Sequence, residues 1–230
     1  MYKKRIADIL LERKLAGKGA VLIEGPKWCG KTTTASMQAK SILDLGDSEI
    51  LKESKSMIEI SPRKLLEGET PRLIDEWQTL PALWDSIRNL VDKRQEVSQF
   101  ILTGSSVLPE AYETTHSGTG RIGRIRMRPM SLYESEESNG RVSLKNLFEG
   151  KDFEIQENSL TIDDIAFLVC RGGWPASISM RREIALDQAL DYIDSVANYD
   201  IQRVDGTKRD PQRVYRLLRS YASNIAGQIS

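Results

Sequence analysis

Apolar residues recur along the chain in two rhythms. In residues 3–14, Ile6, Ile9, Leu10 and Leu11 fall at helical spacing and predict an amphipathic helix. After Gly17 and Gly19, Ala20-Val21-Leu22-Ile23 is a short, wholly apolar run, the pattern of a strand buried on both faces. A helix is expected from about Lys31 to Leu45. Met57-Ile58-Glu59-Ile60 reads as a second strand and Arg72-Leu73-Ile74-Asp75-Glu76 as a third. Leu83, Trp84, Ile87, Leu90 and Val91 mark a helix over 80–93, and Gln99-Phe100-Ile101-Leu102-Thr103 a fourth strand stopped by Gly104. A polar stretch, Ser105 to Gly123, follows as a long loop or interrupted helix. Arg124-Ile125-Arg126-Met127-Arg128 alternates strictly, as a half-exposed edge strand does. Beyond about residue 140 the spacing is helical over 163–170, 182–199 and 211–226.

This order predicts an α/β fold, a mainly parallel, five-stranded sheet between helices in residues 1–140, then a small helical lid in 141–230. Read with the Gly-x-x-x-x-Gly-Lys-Thr loop at 25–32, it is that of a P-loop NTPase. The chain ends at Ser230 within or just after a helical pattern, so a truncation before further C-terminal segments is expected.

The turn between the first strand and the first long helix carries the chemistry. Gly25-Pro26-Lys27-Trp28-Cys29-Gly30-Lys31-Thr32 has two glycines bracketing four residues, closed by Lys-Thr. Such a loop lets successive backbone N–H groups converge on phosphate oxygens, while the helix beginning at Lys31 adds its positive dipole end. Lys31 is placed to reach the β- and γ-phosphates and Thr32 to ligate Mg2+. Thr33 and Thr34, in the first turn, either cap free N–H groups or touch the α-phosphate. Cys29 is expected to be a small residue that fits the loop and is exposed in the absence of nucleotide.

Asp75-Glu76 ends the third strand. At that sheet edge, Asp75 would hold Mg2+ and Glu76 would orient or deprotonate an attacking water. Trp77 reads as packing at a helix entry, and the role of Gln78 stays open. Thr103 or Ser105, after the fourth strand, is expected to face the γ-phosphate if that strand lies between the other two; the choice between them is open.

Charge narrows the alternatives. Lys plus Arg number 33 and Asp plus Glu 33, so the surface as a whole is not that of a nucleic-acid binder. Arg121, Arg124, Arg126 and Arg128 form the densest basic cluster. They read as a solvated edge face, as an arginine finger on a neighbouring subunit's phosphate (Arg121 the best candidate), or as a phosphodiester contact. The first of these is favoured. His116, the sole histidine, has no histidine or cysteine partner in sequence. The two cysteines, Cys29 and Cys170, form no disulfide framework, and no apolar run approaches the roughly 20 residues of a membrane helix, so a soluble cytoplasmic protein is expected.

The ordered set Gly-Pro-x-x-x-Gly-Lys-Thr (25–32), Leu-Ile-Asp-Glu-Trp-Gln (73–78), Ile-Leu-Thr-Gly-Ser-Ser (101–106), Arg-Met-Arg-Pro-Met-Ser-Leu-Tyr-Glu (126–134) and Gly-Gly-Trp-Pro (172–175) resembles the prokaryotic AAA_14 ATPases of the AAA+ superfamily, over about residues 5 to 226. The resemblance implies an ATP site with Walker A at 25–32, Walker B at Asp75 and Glu76, and a sensor at or near Thr103. A Gly-x-Pro turn in the lid of related STAND-type NTPases contacts nucleotide, which implies the same of Gly173-Trp174-Pro175. Such proteins usually continue into a winged-helix segment and a C-terminal domain likened to nucleases; neither is evident in this chain, nor is a sensor-2 arginine motif. The reading that results is an ATP/ADP switch with slow Mg2+-dependent hydrolysis, a possible homo-oligomer with no membrane association. A nucleotide-regulated nucleic-acid module and a P-loop small-molecule kinase are the alternatives.

Overall fold

The computed structural model describes residues 2–104, 118–152, 159–203, 206–207, 209–225 and 227. Five strands form one parallel sheet: β1 (Ala20–Glu24), β2 (Ser41–Asp44), β3 (Arg72–Asp75), β4 (Phe100–Gly104) and β5 (Ile122–Arg126), in the order β2-β3-β4-β1-β5. Side chains alternate faces along each strand, and the core divides accordingly. Ala20, Leu22, Ile74, Phe100 and Leu102 enter one layer, whereas Val21, Ile23, Leu73 and Ile101 enter the other. Both faces of the central strands are therefore buried, which is why those strands read as unbroken apolar runs.

Helix α1 (Ile6–Leu15) packs Ala7, Leu11 and Leu15 on the second layer, next to α2 (Lys31–Ser36). On the first layer lie α3 (Ser48–Ile60), α4 (Pro62–Leu65) and α5 (Leu83–Arg94), the last inserting Leu83, Trp84, Ile87 and Val91.

Two expected elements are corrected. The helix expected over 31–45 stops at Ser36, and Ser41–Asp44 becomes β2, paired in parallel with β3 from Ser41↔Arg72 to Asp44↔Asp75. Leu43 and Leu45 are buried as sheet-layer residues, and the ladder to β3 takes up the backbone groups that a continued helix would pair within itself. The strand expected at Met57–Ile60 is instead the last turn of α3. Asp47 caps that helix by accepting from the N–H groups of Glu49 (2.8 Å) and Ile50 (3.2 Å). Leu51, Ser54 and Ile58, at helical spacing, face the core. The sheet keeps five strands because one misread segment replaces the other. β5 also begins two residues earlier than the alternation suggests. It lies at the sheet edge as expected, with Ile125 and Met127 buried and Arg124, Arg126 and Arg128 outward.

Among the described residues after β5 the regular elements are helical: α6 (Leu144–Phe148), α7 (Ile162–Arg171), α8 (Arg182–Ser195), continued by a π-turn at Val196–Asp200, and α9 (Pro211–Ser223). A capping box at Thr161 and Asp164 opens α7, and Gly172, with φ of 68°, ends it. Among the described residues no helix is long and apolar enough to cross a membrane.

Candidate nucleotide site

All strands are parallel, so their C-terminal ends share one edge of the sheet, where open α/β folds bind ligands. Residues 25–30 leave β1 at that edge and turn into α2. Gly30 is the N-cap of α2, with φ of 96°, a conformation that disfavours any residue with a Cβ. Gly25 is required for a different reason: a Cβ there would collide with the Met127 carbonyl.

Lys31 is buried. Its Nζ donates to the carbonyls of Gly25 (3.1 Å) and Pro26 (2.9 Å), so the ammonium folds back over the loop. The Thr32 hydroxyl donates to both oxygens of Asp75, at 2.9 and 3.1 Å. The Thr103 hydroxyl, on the neighbouring strand β4, donates to the same carboxylate. The sheet order produces this convergence, because β4 lies between β1 and β3. Ser105, the alternative to Thr103, lies outside the described residues, as do Ser106 and His116.

Glu76 adopts φ of 52°, left-handed and uncommon for a residue with a side chain. Its carboxylate accepts from the Gln78 amide, and its carbonyl accepts from the Thr79 hydroxyl at 2.8 Å. Gln78, left open in sequence, is thus the side chain that holds Glu76. Trp77 is buried against Trp84, in keeping with a packing role.

Cys29 contradicts its expected exposure. It is fully buried among the residues of the second core layer, and burial pushes its thiol pKa up despite the nearby Lys31 and Arg5 charges. The loop presents Trp28 outward instead, 59% exposed, with its ring 6.0 Å from that of Tyr192. Tyr192 in turn lies 4.2 Å from Trp174, and Lys27 pairs with Asp200 at 2.6 Å. α8 and the turn that follows it therefore touch the phosphate-type loop directly. Thr34, expected to cap the helix or reach a phosphate, has its hydroxyl 2.9 Å from that of Tyr2.

Beside the loop lies a cavity of about 570 Å3 lined by Tyr2, Arg5, Gly30, Thr33, Met130 and Pro175, among others. Tyr2 donates to Asp8 (2.6 Å); burial, then that bond, raises its pKa to about 12. Pro175 follows Gly173, whose carbonyl accepts from the Met130 N–H at 2.6 Å. A Cβ at Gly173 would run into the Met130 carbonyl, which accounts for the glycine. Sequence reasoning missed Tyr2 and Arg5, which stand in a charged N-terminal segment with no motif of their own.

The basic cluster is largely neutralised at one end. Arg121 pairs with Asp92, and Arg124 with Glu24 at 2.7 Å while also lying over the Trp84 ring.

The sequence model of the AAA_14 family, described as an AAA domain, matches residues 17–136. The chain belongs to the AAA_14 family. Its loop at 25–32 and its carboxylates at 75 and 76 fall within the matched segment. A second match, to a domain of unknown function named DUF8612, spans residues 162–230. Uncharacterized proteins of Mycobacterium tuberculosis (Rv2008c) and Mycobacterium bovis (Mb2031c) are each 27% identical over 134 residues, which is 57% of this chain. The chain spans only 30% of the length of these relatives. Among solved structures, the Walker-type ATPase paby2304 of Pyrococcus abyssi is similar at 17% identity and a TM-score of 0.47, over 96% of this chain and 89% of that one. The FIGL-1 AAA domain, solved in complex with ADP, is similar at 14% identity and a TM-score of 0.40, over 99% and 84%. At the level of its family, this AAA_14 chain carries an AAA domain.

Proposed function

We propose that residues 25–32 bind the phosphates of ATP and that the chain hydrolyses it slowly. The observation that carries this reading is the meeting of the Thr32 hydroxyl, the Asp75 carboxylate and the Thr103 hydroxyl at the sheet edge beside the loop. Oxygen donors of this kind suit Mg2+. Thr32 and Asp75 would hold the ion, which when bound offsets charge on the β- and γ-oxygens.

The other roles follow from placement. Loop N–H groups and the start of α2 receive phosphate oxygens. Lys31 exchanges its two carbonyl partners for phosphate. Glu76, released from Gln78, accepts a proton from the attacking water. Thr103 reports the state of the site through its bond to Asp75. The neighbouring cavity, between the N-terminal segment and Pro175, has the size of a nucleoside subsite.

On this reading residues 1–140 are the ATPase core, and 141–230 a lid whose Tyr192, Asp200 and Pro175 sense the loop. The lid would pass the nucleotide state to a C-terminal effector, consistent with the greater length of the curated relatives. The nucleic-acid reading is weakened by the ion pairs of Arg121 and Arg124. A kinase would need a phosphate acceptor, and the adjacent Glu76 favours water.

The test is Mg2+-dependent phosphate release from ATP, with no acceptor added and across a range of protein concentrations. Release is expected from the wild type and not from Lys31→Ala, which should also lose saturable ATP binding. Specific activity rising with concentration would indicate catalysis between subunits. Folded wild-type protein that takes up no triphosphate at millimolar concentration with Mg2+ would sink the reading.

A further inference from the structure

Arg5 is a buried arginine whose work lies outside its own helix. Its side chain is 4% exposed, and each of its three guanidinium nitrogens donates a hydrogen bond. Nη1 donates to the Cys29 carbonyl (2.8 Å), Nη2 to the Arg128 carbonyl (2.9 Å) and Nε to Glu134 (3.0 Å). Glu134 is itself fixed: it accepts from the N–H groups of Ile6 and Ser131, each at 2.8 Å, and from the Ser131 hydroxyl at 3.0 Å. Burial alone would raise the Glu134 pKa, but these donors outweigh it and hold the carboxyl below its usual value. The motif at 126–134, which the catalytic reading leaves unused, thus supplies both the carbonyl and the carboxylate that hold Arg5.

The contact with Cys29 has a consequence for the loop. In a trans peptide the C=O and the following N–H point in opposite directions. Drawing the Cys29 carbonyl toward Arg5 therefore turns the Gly30 N–H away from it. Gly30 lacks a Cβ and has φ of 96°, so its side of that peptide offers little resistance to rotation. A rigid planar cation on the carbonyl supplies the missing restraint. The same guanidinium holds the Arg128 carbonyl, two residues before Met130, whose N–H donates to Gly173 in the turn leading to Pro175.

We propose that Arg5 is a positioning residue of the nucleotide site. It fixes the Cys29–Gly30 peptide in the orientation that offers the Gly30 N–H to a polyphosphate, and the Arg5–Glu134 pair links that peptide to the Gly173–Pro175 turn. The proposal rests on the reading that this loop binds phosphates.

The experiment uses the 230-residue chain with Arg5→Lys, Arg5→Met and Glu134→Gln. Thermal unfolding without nucleotide is measured beside the affinities for Mg-ATP and inorganic pyrophosphate. A lysine keeps the charge but cannot span three acceptors. Both Arg5 variants are expected to remain folded and to lose about ten-fold or more in affinity for each probe, on the order of one charge-assisted hydrogen bond. Glu134→Gln should lose less, because the two carbonyl contacts of Arg5 survive. Wild-type affinity in folded Arg5→Lys and Arg5→Met overturns the proposal and leaves the phosphate reading intact. Absence of binding by the wild type removes both. If Arg5→Met fails to fold, Arg5→Lys and Glu134→Gln carry the test; unfolding of all three assigns the pair to folding alone and also overturns the proposal.

Discussion

Cys29 and Glu76 show how much a single side chain's surroundings decide. A loop cysteine beside a lysine looks reactive, since nearby cations lower a thiol's pKa. Here burial outweighs Lys31 and Arg5, so the net shift is upward and the protonated thiol persists at neutral pH. A thiol reagent added to folded protein should titrate the exposed Cys170 first and Cys29 only on denaturation, with rates differing by about ten-fold or more. Equal rates for the two would show that Cys29 is accessible. Glu76 holds a left-handed backbone at the end of a strand, the sort of strain found at reacting positions. If it is the general base, Glu76→Gln should keep ATP affinity within about two-fold and lower turnover by roughly 10²–10⁴-fold. Single-turnover rates unchanged in that variant would take Glu76 out of the chemistry. Asp75 and Glu76 were legible as a pair because an apolar strand delivers them. Gln78 was not, because its meaning is a hydrogen bond made across a turn.

At the scale of elements, α3 is instructive. Met57-Ile58-Glu59-Ile60 alone fits strand and helix equally, since four residues cannot separate the two periods. What decides is upstream: the Asp47 cap, and Leu51, Ser54 and Ile58 on one face. Asp47→Ala should therefore cost about 1 kcal/mol in denaturant unfolding, the usual worth of an N-cap. A loss below a few tenths would mean that packing alone holds the helix. β2 was hidden for the opposite reason. Its residues have no strong strand pattern, with Ile42 exposed on an edge, and they are extended because β3 offers a ladder. The central strands needed no such help, as burial on both faces wrote itself into Val21-Leu22-Ile23 and Phe100-Ile101-Leu102.

For the whole molecule, the loop at 25–32 touches α8 and its following turn, so a nucleotide bound there, as proposed, would cross-link sheet and C-terminal helices. A ligand that binds only the folded state adds about 2.7 kcal/mol at one hundred times its dissociation constant. For a chain of this size each kcal/mol is worth about 2–4 °C. Mg-ATP at that excess should thus raise the melting temperature by roughly 5–10 °C, and leave Lys31→Ala unmoved. A melting temperature insensitive to Mg-ATP in the wild type would mean that the loop does not take up the ligand.

Local order in the sequence was enough for the phosphate-type loop, the three central strands, the edge position of the arginine-bearing strand and the membership of an AAA family. Each depends on neighbours in sequence: glycine spacing, unbroken apolar runs, alternation. Tertiary structure alone decided the identity of β2, the burial of Cys29, the grip of Gln78 on Glu76 and the place of Arg5. All but the Gln78 contact depend on residues far apart in the chain, such as Arg5 with Glu134 or Ser41 with Arg72, whose energies exist only once the layers have packed; the Gln78 contact is local but needs the left-handed turn at Glu76.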